Sequence, residues 1–220
     1  MQGIVFTYRN KRERVGSKIS KLVPELRRTV KKWGSVIIFS VTLVAGLACG
    51  CFTAGGLKPE TLRNLDFFIT TNMPERLSGG ALNAFAASFG SDFLFLLSAF
   101  LLGLSLWGIA VLPFLAFAKG YGIGVSAGYL LISYGLKGIV FYLVVILPGA
   151  LLFSFALIYE LSSAYYMFRR LFGSVFLKNS VGFKEPLKKY TKRGLKYLIV
   201  TFAASLIDTA LWQGLAGIFF

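Results

Sequence analysis

Three ionisable residues lie within or at the ends of apolar stretches of the chain: Asp208, Glu160 and Lys119. A charged group inside a membrane is energetically expensive, so each is a candidate for a functional role or for a specific partner. Asp208 lies about eleven residues into the last apolar stretch, near the middle of a bilayer. It could pair with a basic group, carry a proton, or stay protonated and hydrogen-bond to Ser or Thr of a neighbouring helix. Glu160 and Lys119 end their stretches at a similar level, and they could form an ion pair.

The residues needed for most enzymatic chemistry are missing. Histidine is absent from the chain, which excludes Ser-His-Asp triads, Cys-His dyads, most zinc sites and the histidine-dependent membrane phosphatases. An intramembrane aspartyl protease needs two carboxylates that share one site, and the sequence places only Asp208 deep in an apolar stretch. Cys49 and Cys51 are interpreted as small packing residues, with a redox or metal pair as the alternative. We therefore expect no catalytic residue, metal or cofactor, and we predict that the protein is not an enzyme.

Glycines recur at four-residue spacing in two apolar stretches, and these are Gly46, Gly50, Gly120, Gly124 and Gly128. Glycines four residues apart share one helical face and let another helix approach closely. The segment 120–128 also loosely matches a phosphate-binding glycine loop, but such a loop follows a strand, and this segment follows an apolar span. The spacing therefore predicts helix packing, and Pro148 predicts a kink.

The positive charge is concentrated in two blocks. Nineteen of the 24 Lys and Arg residues lie in 9–32 and 169–196, and most of the remaining chain is apolar. Charged residues make up 15% of the chain, against about 25% in a soluble domain, and the mean hydropathy is +0.70. A transmembrane helix needs roughly 20 mostly apolar residues. The sequence therefore predicts an all-α, polytopic integral membrane helical bundle.

The net charge of +15 does not indicate a nucleic-acid-binding protein. A nucleic-acid groove needs Lys and Arg on a folded face, usually with aromatic residues between them. Here the basic residues flank apolar spans, where they set orientation and contact anionic lipid headgroups. We expect anionic lipids as partners, no nucleic acid, and a multi-pass location in a cell membrane.

Five spans are predicted, at about 33–55, 92–118, 120–134, 139–159 and 197–218. The third span is short and rich in glycine. Because Lys and Arg are enriched in cytoplasmic loops, both basic blocks should be cytoplasmic, and an even number of crossings must separate them. Four crossings satisfy this condition, with the N-terminus inside and the C-terminus outside. The alternative is three crossings with a re-entrant hairpin between Lys119 and Arg169.

The segments outside these spans differ in charge. Residues 1–32 form a basic cytoplasmic segment that is either an interfacial helix or a loosely ordered tail. Residues 56–90 form a neutral outer loop, and residues 169–196 form a basic cytoplasmic loop.

The central region resembles a known family. The run Gly103-Leu-Ser-Leu-Trp-Gly108, then Pro113 and Lys119-Gly-Tyr-Gly-Ile-Gly124, resembles the stage II sporulation protein M family. Tyr134-Gly-Leu-Lys-Gly138 and Ile146-Leu-Pro148 continue the likeness, which is clearest over residues 100–150. The matching glycines, Lys119, Lys137 and Pro148 are interpreted as architectural.

The resemblance implies a multipass bacterial membrane protein without catalytic activity of its own. In spore formers the family looks like the membrane scaffold of a peptidoglycan-degrading machine with a lytic transglycosylase and an amidase/endopeptidase, which drives septal thinning and engulfment. Membrane-anchored cell-wall hydrolases are therefore the expected partners. They would meet the protein at the outer loop 56–90 or at lateral surfaces of the spans.

A small transporter or permease subunit is the alternative function. Asp208, the short third span and Pro148-Gly149 favour it, because midplane charges and broken helices mark transport pathways. The sequence has no convincing internal repeat and only one deep charge, which argues against transport. A homo-oligomer formed around Asp208 would supply further charges.

Overall fold

The computed structural model describes residues 33–56, 80–105, 108–176 and 184–219, and every regular element in this part of the chain is a helix. These elements are α1 (Trp33–Gly56), α2 (Ala81–Leu104), α3 (Gly108–Phe141), a π-helical segment (Tyr142–Ile146), α4 (Leu147–Phe176) and α5 (Lys184–Phe219). The predicted segment 1–32 and residues 57–79 of the predicted outer loop lie outside the described residues.

The predicted all-helical fold is confirmed, and four helical stretches of the described chain are long and apolar enough to cross a membrane. The third stretch, Gly108–Ser174, has 67 residues. As one straight helix it would measure about 100 Å, roughly three times the hydrocarbon thickness of a bilayer.

The chain folds back on itself at Gly135. This residue has φ 60° and ψ −139°, a left-handed conformation that glycine adopts without a steric penalty. The Tyr142 hydroxyl donates to the Ile123 carbonyl over 3.2 Å, although a straight helix would separate these residues by nearly 30 Å. The predicted turn at Gly135–Gly138 is therefore present.

Away from the basic helix ends, the outside of the bundle is largely apolar, and charged residues in the middle of the helices are buried. Val41 and Phe52 of α1 and Ile199 of α5 are more than half exposed, whereas Lys119 and Asp92 are buried. This distribution is the reverse of that in a soluble protein, where Lys and Asp are mostly exposed. It fits a bundle whose solvent is hydrocarbon.

The predicted boundary between the second and third spans is wrong. The chain leaves α2 after Leu104 and enters α3 at Gly108, so Lys119 lies inside α3. Asp92, predicted to begin a span, is the twelfth residue of α2. A charged residue ends an apolar window in a sequence, but it does not end a helix when the bundle supplies a partner.

Both predicted loops contain helix as well. Residues 81–90 of the predicted outer loop 56–90 belong to α2. Most of the basic block 169–196 is also helical, because α4 continues to Phe176 and α5 begins at Lys184. Lys and Arg are good helix formers, so the helices continue where the apolar runs stop.

Helix α4 packs against α2, α3 and α5. Its buried residues Phe153, Leu157 and Leu161 form the main core with Ala99 of α2 and Leu112 of α3. The π-helical segment ends at Ile146, two residues before Pro148, where a kink is predicted. Pro148 has no N–H to donate to the carbonyl four residues earlier, so the α-helical ladder is interrupted at this point.

Candidate functional site

Four polar residues from three helices meet in the middle of the bundle. Ser88 and Asp92 come from α2, Lys119 from α3 and Asp208 from α5, and all four are buried. We call them the polar cluster. Ser88 and Asp92 are four residues apart, so α2 presents both on one face.

A buried ion pair joins α2 to α3. The Lys119 ammonium lies 2.6 Å from Oδ1 of Asp92, and Lys119 is only 4% exposed. The same ammonium lies 5.2 Å from the ring centre of Phe95 and 4.6 Å from that of Phe153, within the range of cation–π attraction. A carboxylate and two aromatic faces therefore replace the water that the lysine loses.

Asp208 connects α5 to the same site. The Ser88 hydroxyl donates to its Oδ2 over 2.9 Å, so the contact resembles the third role predicted for Asp208, a hydrogen bond to a serine of a neighbouring helix. Gly149 of α4 lies directly against this side chain, because a Cβ at Gly149 would be 2.8 Å from the Cβ of Asp208. The absence of a side chain at Gly149 lets α4 cover the carboxyl group.

A small cavity of about 30 Å³ is lined by the polar cluster together with Ser126 and Tyr142. One water needs about 10–15 Å³ of such space, so the cavity has room for about two water molecules. The side chains of the polar cluster can therefore form ion pairs and hydrogen bonds between helices.

Asp92 and Ser88 are the residues that sequence reasoning missed. The buried residues of α2 include Ala84, Ser88, Asp92 and Leu96, and their four-residue spacing is the signal that could have found them. The expectation of a single deep carboxylate is therefore wrong. Asp92 is paired with Lys119, and Asp208 accepts a hydrogen bond from Ser88.

The predicted ion pair between Glu160 and Lys119 is not present, because Lys119 lies against Asp92. Glu160 is fully buried, and its Oε1 lies 3.8 Å from the position of a Cβ at Gly194 of α5. It also faces Tyr190, but the Tyr190 hydroxyl donates to the Phe100 carbonyl. The carboxyl oxygens of Glu160 have no hydrogen-bond partner among the described residues.

The glycines at four-residue spacing lie between α1 and α3. A Cβ at Gly46 or Gly50 would collide with the α3 backbone, at the carbonyls of Phe117 and Tyr121. In the opposite direction, a Cβ at Gly120 or Gly124 would collide with backbone carbonyls of α1, and one at Gly128 would meet the Ala54 methyl.

The two cysteines lie in the same region. The Cys51 thiol is 3.5 Å from the Gly124 carbonyl, and Cys49 and Cys51 are both free and exposed. The contact of Cys51 with α3 fits the packing interpretation, whereas the exposed position of Cys49 does not.

The sequence model of the family described as Stage II sporulation protein M matches residues 35–212. The chain belongs to the stage II sporulation protein M family. The matched region begins in the first turn of α1, contains the whole polar cluster and the glycine contact, and ends at Trp212 of α5. The protein is therefore a multi-pass membrane protein of a sporulation family. Searches of curated proteins and of solved structures gave no match.

Proposed function

We propose that this member of the stage II sporulation protein M family is a non-enzymatic scaffold of the bacterial cell membrane that holds peptidoglycan-degrading enzymes at the outer face. Family membership supports a sporulation membrane protein. The observation that carries the scaffold role is the use of the buried polar groups, which bind each other across α2, α3 and α5.

Buried charges in a membrane mark either a pathway for a substrate or a tie between helices. In this bundle the lysine is covered by a carboxylate and two rings. Groups engaged in this way hold helices in a fixed arrangement, and a fixed platform is what a scaffold requires. The exposed apolar faces of the helices, such as Ile38 and Val41 on α1, then supply lateral surface for lipid and partner spans.

The proposed topology has five crossings, with the N-terminus inside and the C-terminus outside. The fold-back at Gly135 divides the 67-residue stretch into two arms. The first arm, residues 108–134, has a length of about 40 Å, which is enough to cross the hydrocarbon. Two arms satisfy the even number of crossings that two cytoplasmic basic blocks require.

Cysteine labelling in intact cells tests this topology. In a background with Cys49→Ala and Cys51→Ala, a membrane-impermeant maleimide should label the single variants Asn72→Cys and Leu136→Cys from outside. It should label Ser180→Cys only after the cells are permeabilised. Leu136 is 82% exposed beside the fold-back, so its reagent access depends on which side of the membrane it occupies.

The three positions separate the alternatives. Protection of Leu136→Cys with labelling of Asn72→Cys would indicate a re-entrant hairpin in place of two crossings. Labelling of Ser180→Cys in intact cells would show that the orientation is the opposite of the proposed one, and it would contradict a scaffold at the outer face.

Recruitment of wall enzymes tests the scaffold role itself. Crosslinking of the tagged protein in its native membrane, followed by mass spectrometry, should recover membrane-anchored peptidoglycan hydrolases. Replacing residues 60–78 by a Gly-Ser sequence of equal length should reduce that recovery about tenfold or more, because this segment belongs to the predicted outer loop 56–90 and precedes α2.

The matched control replaces residues 177–183, between α4 and α5, by Gly-Ser sequence and should leave recovery unchanged. If the crosslinked proteins do not include wall hydrolases, the result would contradict the scaffold role. Equal recovery with the 60–78 variant would move the contact from the loop to the lateral faces of the helices.

A further inference from the structure

A second cavity lies between α4 and α5, away from the polar cluster. Its volume is about 160 Å³, well above the roughly 10–15 Å³ that one water molecule needs. Three basic side chains, Arg170, Lys189 and Arg193, line it. The other polar residues in its lining are Ser163, Tyr166 and Tyr190, and no carboxylate belongs to the lining.

The spacing of these residues explains why they share one cavity. Ser163, Tyr166 and Arg170 recur at intervals of three and four residues on α4, and Lys189 and Arg193 are four apart on α5. Residues at these intervals lie on one helical face. Two facing helices therefore direct three positive groups toward one space.

The floor of this cavity is fixed by packing. Tyr190 is 4% exposed, its ring stacks on Phe100 with ring centres 4.7 Å apart, and its hydroxyl donates to the Phe100 carbonyl over 2.8 Å. Gly103 of α2 lies against the same hydroxyl. A site that is preformed in this way loses little freedom when it binds a ligand.

Two tyrosines indicate that the end of the cavity nearest the apolar part of α5 lies near the level of lipid headgroups. Tyr197 begins the apolar part of α5, and Tyr159 of α4 stacks on it with ring centres 6.4 Å apart, as tyrosines do at a membrane interface. Lys189 and Arg193 precede Tyr197 by four to eight residues, or about 6–12 Å along the helix. The headgroup layer extends about 5–8 Å beyond the hydrocarbon, so Arg193 lies within it and Lys189 lies just outside it.

We propose that the cavity between α4 and α5 binds one phosphate group, that of an anionic phospholipid, through Arg170, Lys189 and Arg193. Basic pockets between membrane helices bind the headgroups of acidic lipids, and arginine presents paired N–H donors that match phosphate oxygens. The Ser163 and Tyr166 hydroxyls offer further donors. The proposal does not depend on the scaffold role.

Two triple variants of equal charge test this site. The pocket variant carries Arg170→Gln, Lys189→Gln and Arg193→Gln. The control variant carries Arg169→Gln, Lys188→Gln and Lys192→Gln, each one residue away. The control residues are exposed, as the pocket residues are, but they lie outside the cavity lining. Both lose three positive charges from the same two helices, so general attraction to anionic lipid falls equally.

The measurement is native mass spectrometry of delipidated protein in neutral detergent, titrated separately with dioleoyl phosphatidylglycerol, dioleoyl phosphatidylcholine and inorganic phosphate. We expect one tightly bound phosphatidylglycerol, with affinity reduced about tenfold or more in the pocket variant and less than about twofold in the control. Pocket-dependent binding of inorganic phosphate with equal affinity would assign the site to a soluble phosphate and overturn the lipid assignment.

Equal losses in the two variants, or no loss in either, would overturn the site. If the pocket triple does not fold, the single pair Arg170→Gln and Arg169→Gln is compared under the same criterion.

Discussion

Replacing Asp92 by asparagine should destabilise the bundle by about 3–5 kcal/mol, the usual result of removing one partner of a buried ion pair. Asparagine has nearly the shape of aspartate, so the substitution removes charge and leaves packing intact. The Lys119 ammonium, 2.6 Å from the aspartate, would then remain in an apolar interior without its counter-charge. Thermal unfolding in detergent, followed by helix content, should show this loss as a lower midpoint.

The paired substitution distinguishes a broken ion pair from general damage to the core. Adding Lys119→Met to Asp92→Asn removes both charges at similar volume, which for buried pairs is often neutral or stabilising, so the double variant should recover most of the loss. Lys137→Met is the matched control, because Lys137 belongs to the same helix but is exposed. Additive losses in the double variant would contradict the tie between α2 and α3.

The sequence predicts the class of fold and the fold-back at Gly135, because both depend on local composition. Apolar runs of sufficient length predict membrane helices, and a glycine-bounded turn between two such runs permits the left-handed conformation that reverses the chain. The ends of the helices are harder to predict from the sequence. Charged residues at 184–196 precede the apolar run that begins at Tyr197, yet they already belong to helix α5.

The polar cluster shows why a site is harder to predict than a span. Asp92 and Lys119 each lie eleven residues after the start of their helix, or roughly 17 Å along it, near the middle of a bilayer. When the sequence is read in short windows, each of these charged residues marks the end of a span. The partner that stabilises its charge inside the membrane lies 27 residues away, outside the window. If the second span is taken to end at Lys119, the carboxylate expected at the same depth in the membrane is that of Glu160. The sequence therefore predicts an ion pair between Glu160 and Lys119 in place of the observed pair with Asp92.

The glycines illustrate the opposite case. Their four-residue spacing places them on one face and predicts close packing without knowledge of the partner. The structure supplies the partner, since Gly46 and Gly50 of α1 lie against the face of α3 that carries Gly120 and Gly124.

Replacing Gly120 or Gly124 by alanine should destabilise the bundle by about 1–3 kcal/mol, as overpacking of a close contact does. The added methyl would collide with the Leu43 or Leu47 carbonyl of α1, and a backbone atom cannot move aside as a side chain can. Alanine is favoured over glycine in a helix by about 1 kcal/mol, so the expected loss has the opposite sign from helix propensity. The measurement is again the unfolding midpoint in detergent.

The control glycines are Gly90 of α2 and Gly173 of α4, where an added Cβ meets nothing within 4 Å. Alanine at these positions should leave the midpoint unchanged or raise it. Gly128→Ala offers a compensating pair, because its methyl would meet only the methyl of Ala54 at short range. Ala54→Gly should therefore restore the midpoint of Gly128→Ala but not that of Gly124→Ala. Equal midpoints for alanine at the interface glycines and at the control glycines would show that the packing of α1 does not depend on this contact.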